Sequence, residues 1–138
     1  GKKYRPYLVK DIIALDGTVI KHFDPVVERD LNIDPSVISL VQEGLHEVST
    51  VGTAAAMFKD FPVPIAGKTG TAENSHGRDH GWFVAYGPFD NPNIAVAVIV
   101  ENAGYGATSA VPIGYKILSA AFGLDKPKTP ENQPAPAQ

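Results

Sequence analysis

The sequence predicts an α+β fold, in which α-helices and β-strands both occur. Apolar residues recur at helical spacing in two segments, residues 36–48 and 108–122. Between them lie three β-rich stretches, separated by the Gly, Pro, Asp and Asn residues typical of turns. The length of 138 residues fits one domain or a large piece of one, and an apolar fraction of 43% is ordinary for a chain that buries a core.

The N-terminal segment predicts a β-hairpin. Residues 7–15 are β-rich, and residues 18–23 form the returning strand after Asp16-Gly17, a dipeptide strongly favoured in hairpin turns. Asp24-Pro25 closes this unit.

Two helices are predicted next. Asp34 or Ser36 can cap the first, and Pro35 fits its first turn because the missing N–H costs little there. Its apolar positions at helical spacing are Val37, Leu40, Val41, Leu45 and Val48. After a break near Gly52, residues 50–58 predict a second, short helix.

Three strands are predicted in the second half of the chain. They cover residues 65–72, 81–86 and 94–101. Residues 61–64 should be extended, because each proline biases the residue before it away from the helical region. The third strand is apolar on both faces, so we expect it to be a central strand that is covered on both sides.

The C-terminal segment predicts a last helix and then a disordered tail. Thr108 or Ser109 caps the helix, and Gly123 ends it. From residue 126 onward Pro, Ala, Gln, Lys and Glu dominate, and such a segment buries too little apolar surface to offset its ordering entropy. We therefore divide the chain into a folded region, residues 1–123, and a disordered Pro-rich tail, residues 124–138.

Composition excludes several function classes. A net charge of -3 argues against a general nucleic-acid binder, so we expect no nucleic-acid partner. The absence of cysteine excludes disulfides, cysteine-ligated zinc and a thiol nucleophile. The longest apolar run, residues 94–100, is far too short to cross a bilayer.

The most informative motif is K-T-G, formed by Lys68-Thr69-Gly70. It is one of three motifs of the serine acyl-transfer enzymes that include penicillin-binding proteins and class A β-lactamases. The other two motifs, S-x-x-K and S-x-N, occur nowhere in the 138 residues. We therefore predict that the chain forms the substrate-binding wall of an active site whose nucleophile lies on another segment.

Strand geometry suggests what this motif can do. Thr69 and Thr71 point to one side of a strand, where their two hydroxyls can both hydrogen-bond to a carboxylate. Lys68 adds a compact positive charge, and Gly70 lets a ligand or another backbone approach closely. An exposed backbone N–H near Thr71 could stabilise a tetrahedral oxyanion.

Two other interpretations compete with this one. Three residues can form K-T-G by chance, and the motif alone would not exclude that. The second competitor is a phosphate-binding loop, since Gly67-Lys68-Thr69 matches the end of G-x-x-x-x-G-K-[ST]. We reject it because the first glycine would have to stand at Pro62, and because Pro62 and Pro64 lack the N–H groups that cradle phosphate.

The surrounding residues strengthen the acyl-transfer interpretation. Residues 67–74 and 80–88 resemble the corresponding region of class B penicillin-binding proteins, the monofunctional D,D-transpeptidases of cell elongation, division and sporulation. The resemblance covers roughly residues 35–122. It includes residues 51–54, the 94–100 strand and residues 110–113.

This resemblance implies a fold and a reaction. The family fold is a five-stranded antiparallel sheet flanked by helices, of which this chain would supply three strands and the C-terminal helix. An upstream Ser would attack the D-Ala-D-Ala carbonyl of a peptidoglycan stem peptide and release D-Ala, and an amine of a neighbouring stem would then take the acyl group. β-Lactams mimic the D-Ala-D-Ala end. Neither a metal nor another cofactor is implied.

The resemblance also implies roles for the motif residues. Lys68 would hydrogen-bond toward the S-x-N serine and set the electrostatics of the site. Thr69 and Thr71 would bind the terminal carboxylate of the substrate or drug, and the Thr71 N–H would be one oxyanion donor. Gly70 would permit close approach.

Partners and location follow from the same resemblance. The implied partners are the stem peptide, β-lactams, the remainder of the same transpeptidase domain, and the cell-wall synthesis machinery. The implied location is extracytoplasmic, in the cell envelope, with the parent protein anchored to the cytoplasmic membrane by an upstream segment. We expect this chain to be the C-terminal portion of a transpeptidase domain and to be inactive alone.

Some alternatives stay open at this level. A β-lactamase-like or sensor domain would share K-T-G, and a non-enzymatic penicillin-binding-like module could keep the wall without the chemistry. His76 and His80 have the spacing H-x-x-x-H, but their segment is typical of a loop that borders a cleft and not of a metal site. We expect His22 and His46 to be surface residues. Tyr105 lies in a Gly-rich loop, and a role in lining the cleft is the less favoured interpretation.

Overall fold

A computed structural model describes residues 1–125 of the chain. The predicted disordered tail therefore lies, from residue 126 onward, outside the described residues. The described residues form two compact units, one from Gly1 to Val41 and one that begins at Gln42. Within residues 1–125, no helix is both long and apolar enough to span a membrane.

The first unit contains two small antiparallel strand pairs. Strand β2 (Asp11–Ile13) pairs with β3 (Val19–His22), which confirms the predicted hairpin, although its strands are shorter than expected. Gly17 takes a φ of +87° in the turn, a conformation that glycine adopts without steric cost. The pairing of β1 (Lys2–Tyr4) with β4 (Val27–Asp30) was not predicted.

The first helix begins where the capping pattern predicts. Helix α1 covers Pro35–Thr50, and Asp34 Oδ1 accepts hydrogen bonds from the Ser36 N–H at 2.8 Å and from the Ser36 hydroxyl at 2.7 Å. Both bonds lower the pKa of Asp34 below its ordinary value of 3.8, and the bond from the Ser36 hydroxyl has the larger effect. Helix α2 (Ala55–Phe58) follows the predicted break near Gly52.

The second unit is built on a three-stranded antiparallel sheet in the order β5-β6-β7. The strands are β5 (Ala66–Ala72), β6 (His80–Gly87) and β7 (Ile94–Val100), as predicted to within one residue. The expectation that the third strand is central is wrong for this sheet, because β6 lies in the middle. Helix α4 contacts one face of β7, whereas Ile99 on the other face stays 45% exposed.

The last helical region differs from the prediction at its start. It consists of α3 (Gly106–Ser109) and α4 (Val111–Ala121), and neither Thr108 nor Ser109 caps a helix. Both hydroxyls instead donate to the Tyr105 carbonyl, at 3.0 and 2.9 Å, because both residues lie inside α3 and their side chains reach back to the preceding turn.

The end of α4 confirms the predicted glycine stop. Gly123 has a φ of +71°, and its N–H donates to the Ala120 carbonyl at 3.0 Å. The Leu124 N–H donates to the Ser119 carbonyl at 2.8 Å. This pair of bonds satisfies carbonyls that the helix leaves without partners.

The core of the second unit lies between the sheet and helix α4. Its largest fully buried side chains are Phe83, Ile65, Leu118 and Val111. Helix α4 approaches the sheet closely at Gly114, where an added Cβ would lie 2.4 Å from Cδ1 of Phe83. Burial of these side chains fixes β6, and through it the neighbouring strand β5.

Candidate active-site wall

Strand β5 carries the four predicted site residues, Lys68, Thr69, Gly70 and Thr71. In the ladder with β6, Thr69 lies opposite Phe83 and Gly70 opposite Trp82. The two threonines therefore share one face, as the alternation of a strand requires. Thr71 and Lys68 are exposed, and Thr69 and Gly70 are half-buried.

The outer edge of β5 is unpaired within residues 1–125. The strand bonds to β6 on one side only and ends the sheet. In an antiparallel ladder, alternate residues direct their N–H and C=O groups away from the paired strand. An extended ligand can therefore reach backbone donors and acceptors of β5 beside the lysine and threonine side chains.

Lys68 has a local hydrogen bond. Its Nζ donates to the carbonyl of Thr69 at 2.6 Å. A lysine ammonium has three hydrogens, so this bond leaves donors for a partner beyond the strand. The charge consequently lies at the exposed edge of the motif.

Sequence reasoning missed Thr53 as a site residue. Its hydroxyl lies 2.8 Å from the hydroxyl of Thr69, and either oxygen can be the donor. Thr53 belongs to the segment between α1 and α2, where only the resemblance of residues 51–54 gave a signal. The carboxylate-binding threonine predicted from the motif thus has a direct polar partner.

Sequence reasoning also missed Gly106. An added Cβ at this residue would lie 2.4 Å from the Gly70 carbonyl oxygen and 2.2 Å from the Trp82 carbonyl oxygen. Helix α3 therefore rests directly on the backbone of β5 and β6 at the K-T-G glycine. A glycine in a Gly-Tyr-Gly loop was the only sequence signal, and the side chain of Tyr105 between them is 72% exposed.

Two loops meet at the end of β5. The Asn74 side-chain amide donates to Asn102 Oδ1 at 2.6 Å, and the Asn102 N–H donates to Nδ1 of His80 at 3.0 Å. Because a backbone N–H can only donate, His80 Nδ1 is the acceptor in this bond. Within residues 1–125, no group of three His, Cys, Asp or Glu residues is arranged to hold a metal ion.

His46 corrects the expectation of a surface residue. It is half-buried, its Nδ1 donates to the Ile65 carbonyl at 2.6 Å, and its ring stacks on Phe89 with centroids 4.6 Å apart. The buried Ser49 hydroxyl donates to the same carbonyl at 2.9 Å. Helix α1 thereby anchors the residue that precedes β5, and this long-range contact explains why helical periodicity could not reveal it. His22, in contrast, is exposed as expected.

Known proteins are similar to this chain in sequence and in fold. The family described as "Penicillin binding protein transpeptidase domain" matches residues 1–119. The peptidoglycan D,D-transpeptidase MrdA of Haemophilus influenzae is 36% identical over 138 residues, covering 86% of this chain and 21% of the relative. The peptidoglycan D,D-transpeptidase PbpA of Mycolicibacterium smegmatis is 34% identical, covering 88% of this chain and 26% of the relative. This chain therefore spans about a fifth to a quarter of these curated relatives.

Solved structures agree. A ceftriaxone acyl-enzyme complex of penicillin-binding protein A from M. tuberculosis superposes with a TM-score of 0.73 at 33% identity, covering 88% of this chain and 29% of that one. A chain from a peptidoglycan synthase complex that coordinates polymerization and crosslinking gives a TM-score of 0.74 at 35% identity, covering 95% of this chain and 22% of that one. The α+β fold predicted from the sequence is confirmed, and this chain belongs to the family of penicillin-binding protein transpeptidase domains.

Proposed function

We propose that this chain forms the substrate-binding wall of a serine D,D-transpeptidase that cross-links peptidoglycan stem peptides and is acylated by β-lactams. The observation that carries the proposal is the edge strand β5. Within four consecutive residues it presents one ammonium, two hydroxyls on a common face and a backbone edge that no other described strand pairs with. That set suits a peptide end bearing a carboxylate.

Each residue has a defined role in this proposal. The Thr69 and Thr71 hydroxyls donate to the terminal carboxylate of the stem peptide. Lys68 lies beside them, where its charge favours the anionic ligand and where it can bond to the serine of an S-x-N motif. The Thr71 N–H stabilises the oxyanion of the tetrahedral intermediate, an interaction whose loss typically lowers a rate about 100-fold or more.

The remaining parts of the site come from outside the 138 residues. Because S-x-x-K and S-x-N are absent from the sequence, the nucleophile belongs to the rest of the transpeptidase domain, and this chain alone is inactive. We place the full-length protein outside the cytoplasm, anchored to the cytoplasmic membrane, in contact with cell-wall synthesis proteins. The extracytoplasmic location is supported by the relatives, which are peptidoglycan D,D-transpeptidases, and the contact with synthesis proteins by the neighbour from a peptidoglycan synthase complex.

Labelling with a fluorescent penicillin tests the proposal. The full-length natural protein should be labelled covalently, and the 138-residue chain should not. Lys68→Ala should reduce the labelling rate at least about 100-fold, as expected when one electrostatic contact at the reacting centre is removed. Lys116→Ala, which removes a lysine from the exposed side of α4, is the matched control and should label normally.

The alternatives give different results in the same assay. Rapid loss of the label would indicate a β-lactamase-like enzyme. Stable labelling of a protein that fails to cross-link stem peptides in a separate reaction would indicate a sensor. If the full-length protein takes no label, the chain belongs to a non-enzymatic module and the proposal fails. Labelling of the 138-residue chain would reveal a nucleophile within it.

A further inference from the structure

The segment between α1 and α2 presents Thr53 on a fixed backbone. Gly52 passes so close to α1 that an added Cβ would lie 2.8 Å from Cα of Val48. The next residue, Ala54, is 1% exposed, and its N–H donates to the Val48 carbonyl at 2.9 Å. Because both neighbours are held against the helix, the Cα of Thr53 has a fixed position, and its side chain remains exposed.

The fixed side chain meets the K-T-G threonine. The Thr53 and Thr69 hydroxyl oxygens are 2.8 Å apart, an ordinary distance for an O–H···O hydrogen bond. Each hydroxyl has a single hydrogen and two lone pairs. The direction of this bond therefore decides whether the Thr69 hydrogen is free to serve a ligand.

We propose that Thr53 is a positioning residue, which donates its hydroxyl hydrogen to Thr69 so that the Thr69 hydrogen points to the ligand carboxylate. This inference rests on the proposed function and deepens it. If Thr69 instead donated to Thr53, its lone pairs would face an anionic carboxylate, and the contact would be repulsive. In the proposed direction, the first bond polarises Thr69 and strengthens its bond to the carboxylate.

A double-mutant cycle on the full-length protein tests the inference. Thr53→Val keeps the shape of the side chain and removes its hydroxyl, whereas Thr53→Ser keeps the hydroxyl. The measured quantity is the second-order rate constant of acylation by a fluorescent penicillin. Thr53→Val should lower it roughly 3- to 10-fold, the range of one ordinary hydrogen bond, and Thr53→Ser should stay within about 2-fold of wild type.

The Thr69→Val background separates positioning from general stability. Without the Thr69 hydroxyl, Thr53→Val should have no further effect, because Thr53 acts only through Thr69. An equal loss in both backgrounds would overturn the inference, as would a Thr53→Val protein that is acylated at the wild-type rate. If the wild type is acylated and either of these results is found, only the role of Thr53 is contradicted and the proposed function stands. Absence of acylation in the wild type would overturn the proposed function as well.

Discussion

The contact between helix α3 and the K-T-G strand predicts a strong effect of one methyl group. In Gly106→Ala, the new Cβ would lie 2.2 Å from the Trp82 carbonyl oxygen, 2.4 Å from the Gly70 carbonyl oxygen and 2.9 Å from the Trp82 nitrogen. Real Cβ atoms essentially never lie closer than 3.0 Å to such backbone atoms. All three atoms belong to the backbone, so a rotamer change cannot relieve the overlap, and α3 and β5 must separate by about 1 Å.

The displacement should affect both stability and acylation. Overpacking of this kind typically costs about 1–3 kcal/mol of unfolding free energy. A misplacement of about 1 Å at a reacting centre can lower a rate about 100-fold. We therefore expect Gly106→Ala in the full-length protein to lower the acylation rate constant about 10- to 100-fold, measured with fluorescent penicillin well below the melting temperature.

A matched glycine distinguishes the site effect from general strain. In Gly114→Ala the added Cβ would lie 2.4 Å from Cδ1 of the buried Phe83, a side-chain atom. The melting temperature of Gly114→Ala should fall about as much as that of Gly106→Ala. Its acylation rate should stay within about 3-fold of wild type, because the overlap is not with the β5 backbone. The reasoning would be refuted if Gly106→Ala were acylated normally, or if both variants lost acylation equally.

The remaining predictions concern stability and titration. Gly44 lies exposed inside α1 with no atom within 4 Å of an added Cβ, so Gly44→Ala should raise the unfolding free energy by about 1 kcal/mol. An added Cβ at Gly123 also meets no atom within 4 Å, but Gly123 has a φ of +71°, so Gly123→Ala should lower the unfolding free energy by about 1–2 kcal/mol. Chemical denaturation measures the unfolding free energy of both variants. The folded pKa of Asp34 is lowered, so its cap contributes stability above pH 3.8 that is lost as the pH falls through the folded pKa. A carboxyl ¹³C NMR titration should therefore give a midpoint below 3.8, and Ser36→Ala should move this midpoint upward, whereas an unchanged midpoint would contradict the assigned cause.

Local signals account for the parts of the fold that were predicted correctly. The hairpin turn at Gly17, the cap at Asp34 and the stop at Gly123 each depend on residues close in sequence, so a short window is enough to find them. The pairing of β1 with β4 depends on residues some 25 positions apart, and no local pattern specifies it. The position of β7 at the edge of this sheet depends on which strands pair with it, and apolar composition alone does not show strand pairing.

The same distinction applies to the candidate site. Lys68 through Thr71 form a continuous motif, so the sequence revealed them together. Thr53 reaches Thr69 across 16 residues, and Gly106 reaches the Gly70 carbonyl only after the last helices pack on the sheet. Both contacts form only when distant segments fold together, and neither residue carries a charge that would mark it in the sequence.

The most direct test of the central claim is the reaction itself. The full-length protein should release D-alanine from a stem peptide ending in D-Ala-D-Ala and join the acyl group to an amine acceptor, with both products measured by mass spectrometry. The account predicts that Lys68→Ala loses at least about 100-fold of this rate and that Lys116→Ala keeps it. Cross-linking at the wild-type rate by the Lys68→Ala protein would contradict the claim that β5 is the wall of the active site.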